Sequence, residues 1–96
     1  MQREYELTFV IRPDKDDEGF AAVTDKVAGY VKAAGGEVTR TDLWGRRRLA
    51  YPIRRFAEGY YVFMLIQMGA NGLAELDRSL RLNEDIIRHL VVRKDE

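Results

Sequence analysis

The hydrophobic pattern of this chain runs through six segments, and their order constrains the fold more tightly than any other feature. Tyr5, Leu7, Phe9 and Ile11 alternate with Glu4, Glu6, Thr8 and Val10, the period of a strand with one buried face. Arg12-Pro13-Asp14 breaks it. Phe20, Val23, Val27, Val31 and Ala34 then fall within about 80° of arc at ~100° per residue, which predicts an amphipathic helix of about five turns. Asp14, Asp16, Asp17 and Glu18 suit its start, where carboxylates face the positive end of the helix dipole. Gly35-Gly36 suits its end, because glycine takes the left-handed conformation a helix terminus needs.

A second strand is predicted over Glu37–Ile53, interrupted near Gly45. Pro52 places it at a sheet edge, since proline cannot donate to a neighbouring ladder. Residues 54–59 read as a hairpin connection, and Tyr60 to Ile66 form an almost continuous apolar run suited to the sheet interior. Asn71-Gly72 precedes a short helix with Leu73, Leu76 and Leu80, and Ile86–Arg93 forms the last strand, with apolar residues on both parities. Strand, helix, strand, strand, helix, strand is a pair of split βαβ halves. The predicted fold is an α+β, ferredoxin-like βαββαβ sandwich. It is one domain over residues 1–96, a four-stranded antiparallel sheet in the order 4-1-3-2 with two helices on one face.

Composition excludes several classes. With no cysteine the chain has no disulfide framework, thiol nucleophile, iron–sulfur cluster or thiolate zinc site, and a reducing cytoplasm is its expected home. Met1-Gln2-Arg3-Glu4 leads directly into the first strand without a signal-peptide pattern, and no apolar run approaches the ~18 residues of a membrane span. Sixteen basic and sixteen acidic residues balance, which weighs against gripping nucleic acid by bulk charge. The balance hides an asymmetry: Arg40, Arg46, Arg47, Arg48, Arg54 and Arg55 face only Asp42 and Glu58 in their window.

With both helices on one face, the third strand must send one apolar row outward. If Val62, Met64, Ile66 and Met68 join the core, Tyr61, Phe63 and Leu65 emerge on the open face, a pattern that marks an interaction surface. Alternatively these side chains pack on one another and on the long hairpin. The stretch from Trp44 to Phe56 interleaves arginines with Trp44, Tyr51 and Phe56. Guanidinium groups grip phosphate and stack on bases, and aromatic rings offer flat surfaces to bases or to a protein. By composition alone the same stretch reads equally as a solvated edge guarded against aggregation.

The order of residues is more specific. Trp44-Gly45-Arg46-Arg47, then Leu49-Ala50-Tyr51-Pro52-Ile53 and Gly59-Tyr60-Tyr61, closely resembles the signature of the bacterial ribosomal protein S6 family. Arg3-Glu4-Tyr5-Glu6, Arg12-Pro13-Asp14, Leu82-Asn83-Glu84-Asp85-Ile86-Ile87-Arg88 and Val91-Val92-Arg93 match at corresponding places, so the resemblance spans nearly the whole chain. It implies a non-enzymatic constituent of the small ribosomal subunit that pairs with ribosomal protein S18 as a heterodimer. Together the two would bind the central domain of 16S ribosomal RNA. Carried onto this sequence, the RNA contacts fall on Arg46, Arg47, Tyr51, Arg54 and Arg55, with Arg3 near the same edge, and with Arg48 a further candidate that alternation turns to the opposite face from Arg47. Tyr5, Trp44, Tyr61 and Phe63 are the partner-binding candidates. Tyr5 shares parity with Leu7 and sits at the sheet margin on this reading, and Trp44 reads equally as a core anchor beside Gly45.

An enzyme is not expected. His89 is the only histidine, so no histidine pair exists for a metal, and it reads as a packed or half-exposed side chain. Asp16/Asp17 and Glu84/Asp85 fit solvated caps, and Arg12-Pro13-Asp14-Lys15-Asp16 matches no P-loop. No cofactor, metal, membrane or small-molecule substrate is expected. Two rivals remain: an RRM-like single-stranded RNA-binding module outside the ribosome, whose third-strand motif Gly59-Tyr60-Tyr61-Val62-Phe63 matches only loosely, and a small homo-oligomeric regulator that self-associates through its open face.

Overall fold

The computed structural model describes residues 2–94. They form β1 (Gln2–Ile11), α1 (Asp17–Ala33), β2 (Glu37–Ile53), β3 (Phe56–Gly69), a 3-10 turn (Ala70–Gly72), α2 (Leu73–Leu82) and β4 (Ile86–Arg93). The strands make one antiparallel sheet in the order β2-β3-β1-β4. This is the ferredoxin-like topology that the element order predicts, with Pro52 on an edge strand.

Local chemistry sets the elements. The Asp16 carboxylate accepts a 2.8 Å hydrogen bond from the Gly19 N–H and caps α1, with Asp17 and Glu18 in the first turn and Lys32 in the last. This pattern satisfies an orphan donor and complements the dipole. Phe20, Val23, Val27 and Val31 of α1 and Leu76 and Leu80 of α2 share one core with Tyr5, Leu7, Phe9, Ile11, Val62, Met64, Ile66, Met68 and Ile86. The predicted inward row of β3 is therefore the observed one.

Two features depart from the sequence reading. The connection expected over residues 54–59 is a two-residue turn, because Phe56 already pairs with Ile53. Arg54 and Arg55 both have positive φ, 50° and 72°, as a type I′ hairpin turn requires at its two central positions. Asn and Gly supply that turn most cheaply; other L residues in this conformation each cost roughly 1–2 kcal/mol.

The second departure concerns the face without helices. Val10, Leu49 and Ile87 are buried in a separate small cluster, with Ile53, Phe56 and Tyr61 packed against it. The distal part of the β2–β3 hairpin thus folds over one end of the sheet and reaches β1 and β4. Tyr61 lies beneath this arm, so the face expected to be open is open only at its other end.

Candidate nucleic-acid interface

The geometry of the cationic edge is set by one extra residue. Leu43 pairs with Val62 and Gly45 with Tyr61, leaving Trp44 unmatched in a bulge, and Gly45 has φ of 82°, a left-handed conformation that glycine adopts without steric cost. The bulge sends Trp44 and Arg47 to the face without helices and returns Arg46 to the helix side. Arg46 pairs with Tyr60, whose ring stacks on Phe20 at 4.0 Å, and the Arg46 guanidinium lies 5.5 Å from the Phe20 ring centre. Arg47 lies 5.7 Å from the Trp44 ring, which is parallel to Phe63 at 5.8 Å. Each arginine therefore caps its own two-ring stack on its own face, a favourable placement of cation over π-electrons.

The two arginines thus stand on opposite faces of the strand. Arg48 lies opposite Glu58, on the same side of the strand as Arg46. Tyr51 is 57% exposed, with the Arg88 guanidinium 5.7 Å from its ring. Arg54 donates from Nη1 to the Glu84 carbonyl oxygen at 3.1 Å. Arg55 is exposed at the tip.

Two predicted site residues are placed elsewhere. Arg3 pairs with Met68, whereas Arg46 pairs with Tyr60. Eight positions along β3 are about 27 Å at ~3.4 Å per residue, so Arg3 is at the far end of a central strand, away from the cluster. Tyr5, expected at the margin of the open face, is only 4% exposed and belongs to the core beneath the helices. Its parity with Leu7 decides its side. Trp44 is 45% exposed and not a core anchor, because the bulge points it away from the helices. Phe63 is half-buried beneath it.

Arg88, Leu90 and Val92 belong to this surface although the sequence reading did not select them. They lie opposite Val10, Thr8 and Glu6 of β1, and Leu90 and Val92 are exposed. An irregularity leaves Ile87 unmatched between Ile86 and Arg88, so both isoleucines are buried on opposite faces and the apparent loss of alternation in β4 is explained. A depression lined in part by Thr8, Val10, Tyr61, Arg88 and Leu90 marks the border between the covered and uncovered ends.

Ion pairs further divide the cations. Arg40 holds Asp42 through hydrogen bonds of 2.7 and 3.1 Å, which keep the Asp42 carboxyl below its ordinary range, so Arg40 is largely neutralised. Arg12 does the same to Asp14. On the helix side, His89 Nε2 lies 2.7 Å from an Asp77 oxygen and Arg81 contacts the other. The hydrogen bond with His89 is the main cause of the lowered Asp77 pKa. Among the described residues Arg47, Arg48 and Arg55 have no ion pair. Nor does any group of three His, Cys, Asp or Glu side chains gather as metal ligands among them, and no helix is long and apolar enough to cross a membrane.

The family profile described as ribosomal protein S6 matches residues 4–93. The chain belongs to the ribosomal protein S6 family. It is 42% identical, over the full length of both chains, to the small ribosomal subunit protein bS6 of Carboxydothermus hydrogenoformans. It is 43% identical to that of Moorella thermoacetica over 98% of this chain and 96% of the relative. The crystal structure of 30S ribosomal protein S6 from Thermotoga maritima superposes with a TM-score of 0.91 at 27% identity, covering 98% of this chain and 89% of that one. Membership in the S6 family makes the chain an RNA-binding structural component of the small ribosomal subunit, associated with the ribosome.

Proposed function

We propose that this chain docks as half of a heterodimer with ribosomal protein S18 and, with it, binds the central domain of 16S ribosomal RNA during assembly in the cytoplasm. It acts as a scaffold, without catalysis and without a small-molecule substrate. The observation that carries the reading is the Arg47–Trp44–Phe63 stack, which stands where the cationic edge meets the uncovered apolar end of the sheet. Phe63, Leu65, Leu90 and Val92 with Trp44 suit a protein partner, since an exposed apolar patch rimmed by charge is the usual form of such a surface. Arg46, Arg47, Arg48, Tyr51 and Arg55 suit phosphate and base. Tyr5 and Arg3 take no part on this reading.

The balanced net charge fits a joint mechanism. A protein without excess positive charge gains RNA affinity by arriving with a partner, because the second contact becomes effectively intramolecular. An RRM-like module would read bases from the aromatic residues of its central strands, and Tyr61 lies beneath the hairpin arm. Titration of a central-domain RNA fragment with the protein, alone and with S18, tests the reading. Tight binding is expected only when both proteins are present; equal affinity for any single-stranded RNA would favour the rival.

A further inference from the structure

We propose that Arg54 is a positioning residue, which latches the β2–β3 arm over the sheet before any partner arrives, and that Arg55 is the tip arginine left to meet phosphate. This deepens the RNA-binding reading above and rests on it. Both residues occupy left-handed conformations, in a turn for which their side chains are not the favoured choice. Arg54 has a partner that gives its side chain a role there. Its Nη1 donates to the Glu84 carbonyl oxygen across thirty residues of sequence.

The anchor is itself fastened. The Asp85 carbonyl accepts the Arg12 N–H at 2.9 Å, the Asp85 carboxylate pairs with Lys15 at 3.1 Å, and the Asp85 N–H donates to Asn83 at 2.8 Å. Arg54 therefore ties the tip to a segment with little freedom of its own. Behind the tip, the Arg12 guanidinium lies 5.4 Å from the Phe56 ring, and Leu49 is buried against Val10 and Ile87. This closed position brings Tyr51 to Arg88. Arg55, by contrast, makes no side-chain hydrogen bond or ion pair among the described residues.

A two-stranded hairpin is marginal by itself. Without the latch the arm opens more often, and affinity falls by the fraction of molecules that remain closed. A latch and a phosphate contact differ in their response to salt, because only a phosphate contact releases counterions.

The test combines amide hydrogen exchange of the free protein with binding to a 16S central-domain RNA fragment in the presence of S18 at several salt concentrations. Arg54→Ala is expected to speed exchange of the arm amides, residues 47–53 and 56–60, by about three- to tenfold, the size of one modest hydrogen bond. It weakens binding only by the closed fraction lost, a smaller factor than the change in exchange, and leaves unchanged the slope of log affinity against log salt. Citrulline at position 54, placed by peptide ligation, keeps the N–H donors without the charge and restores both. Arg55→Ala leaves exchange unchanged and reduces the steepness of the slope by about 0.7–0.9. A reduced slope with unchanged exchange for Arg54→Ala, or failure of citrulline to restore the arm, overturns the proposal. If wild-type protein and S18 do not bind the fragment, the RNA reading fails separately, and exchange in the free protein still decides the latch.

Discussion

Gly59 lies so close beneath Val10 that a β-carbon added to it would sit 2.1 Å from Val10 Cγ1. The missing side chain is what lets the arm lie down: Gly59 is paired with Arg47 at the root of the hairpin, and Val10 is the floor on which Leu49 packs.

Gly59→Ala should therefore destabilise the fold by about 1–3 kcal/mol, the usual cost of overpacking. Val10→Ala in the same chain should recover part of that loss. Urea unfolding of the two single variants and the double variant measures the coupling; strictly additive losses would mean that the two residues do not compete for space.

Trp44 is the only tryptophan in the chain and is 45% exposed beside Arg47. Its emission should shift to the blue when S18 covers the apolar end of the sheet. Phe63→Ala, which removes the ring beneath it, should weaken that complex. An emission spectrum unchanged at saturating S18 would place the partner elsewhere.

Arg46→Ala and Arg47→Ala should each leave stability within about 0.5 kcal/mol of the parent, as exposed substitutions do, and each should lower the salt dependence of RNA assembly. Only Arg47→Ala should alter Trp44 emission in the free protein, because Arg46 is on the other side of the strand. Phe9→Ala should do the reverse, costing about 3–5 kcal/mol as a truncation in the dry core. A large fall in melting temperature for either arginine variant would show that it holds the fold.

The Asp77 carboxyl titrates below its usual value near 3.8, chiefly through its hydrogen bond with His89 and then through Arg81. A depressed carboxylate contributes stability that is fully present above the unfolded value and is lost as pH falls through the folded value. Asp77→Asn should therefore flatten the decline of the urea midpoint below about pH 4. A variant as acid-sensitive as the parent would assign that decline to other carboxylates, with Asp14 and Asp42, also lowered, the first to examine.

The backbone plan was legible because periodicity reports burial directly: the parity of Leu7, Phe9 and Ile11, the arc of Phe20 to Val31, and Pro52 at an edge all carried through. The sides of Arg46 and Arg47 were not legible, because one unmatched residue reverses parity and no residue pattern counts it, although Gly45 marked the place. Nor could the chain declare that Leu49 and Ile87 meet. That contact depends on how far the hairpin bends, a tertiary matter with no local signature. The burial of Tyr5 was within reach from its parity with Leu7, and the remoteness of Arg3 follows from counting antiparallel pairs along β3.

The unmatched Trp44 is a ring added to β2 without displacing the pairs on either side of it. Deleting its one codon would close the bulge and leave Gly45 opposite Tyr61 and Arg46 opposite Tyr60, so the downstream side chains would keep their faces while the ring shared by Arg47 and Phe63 is lost.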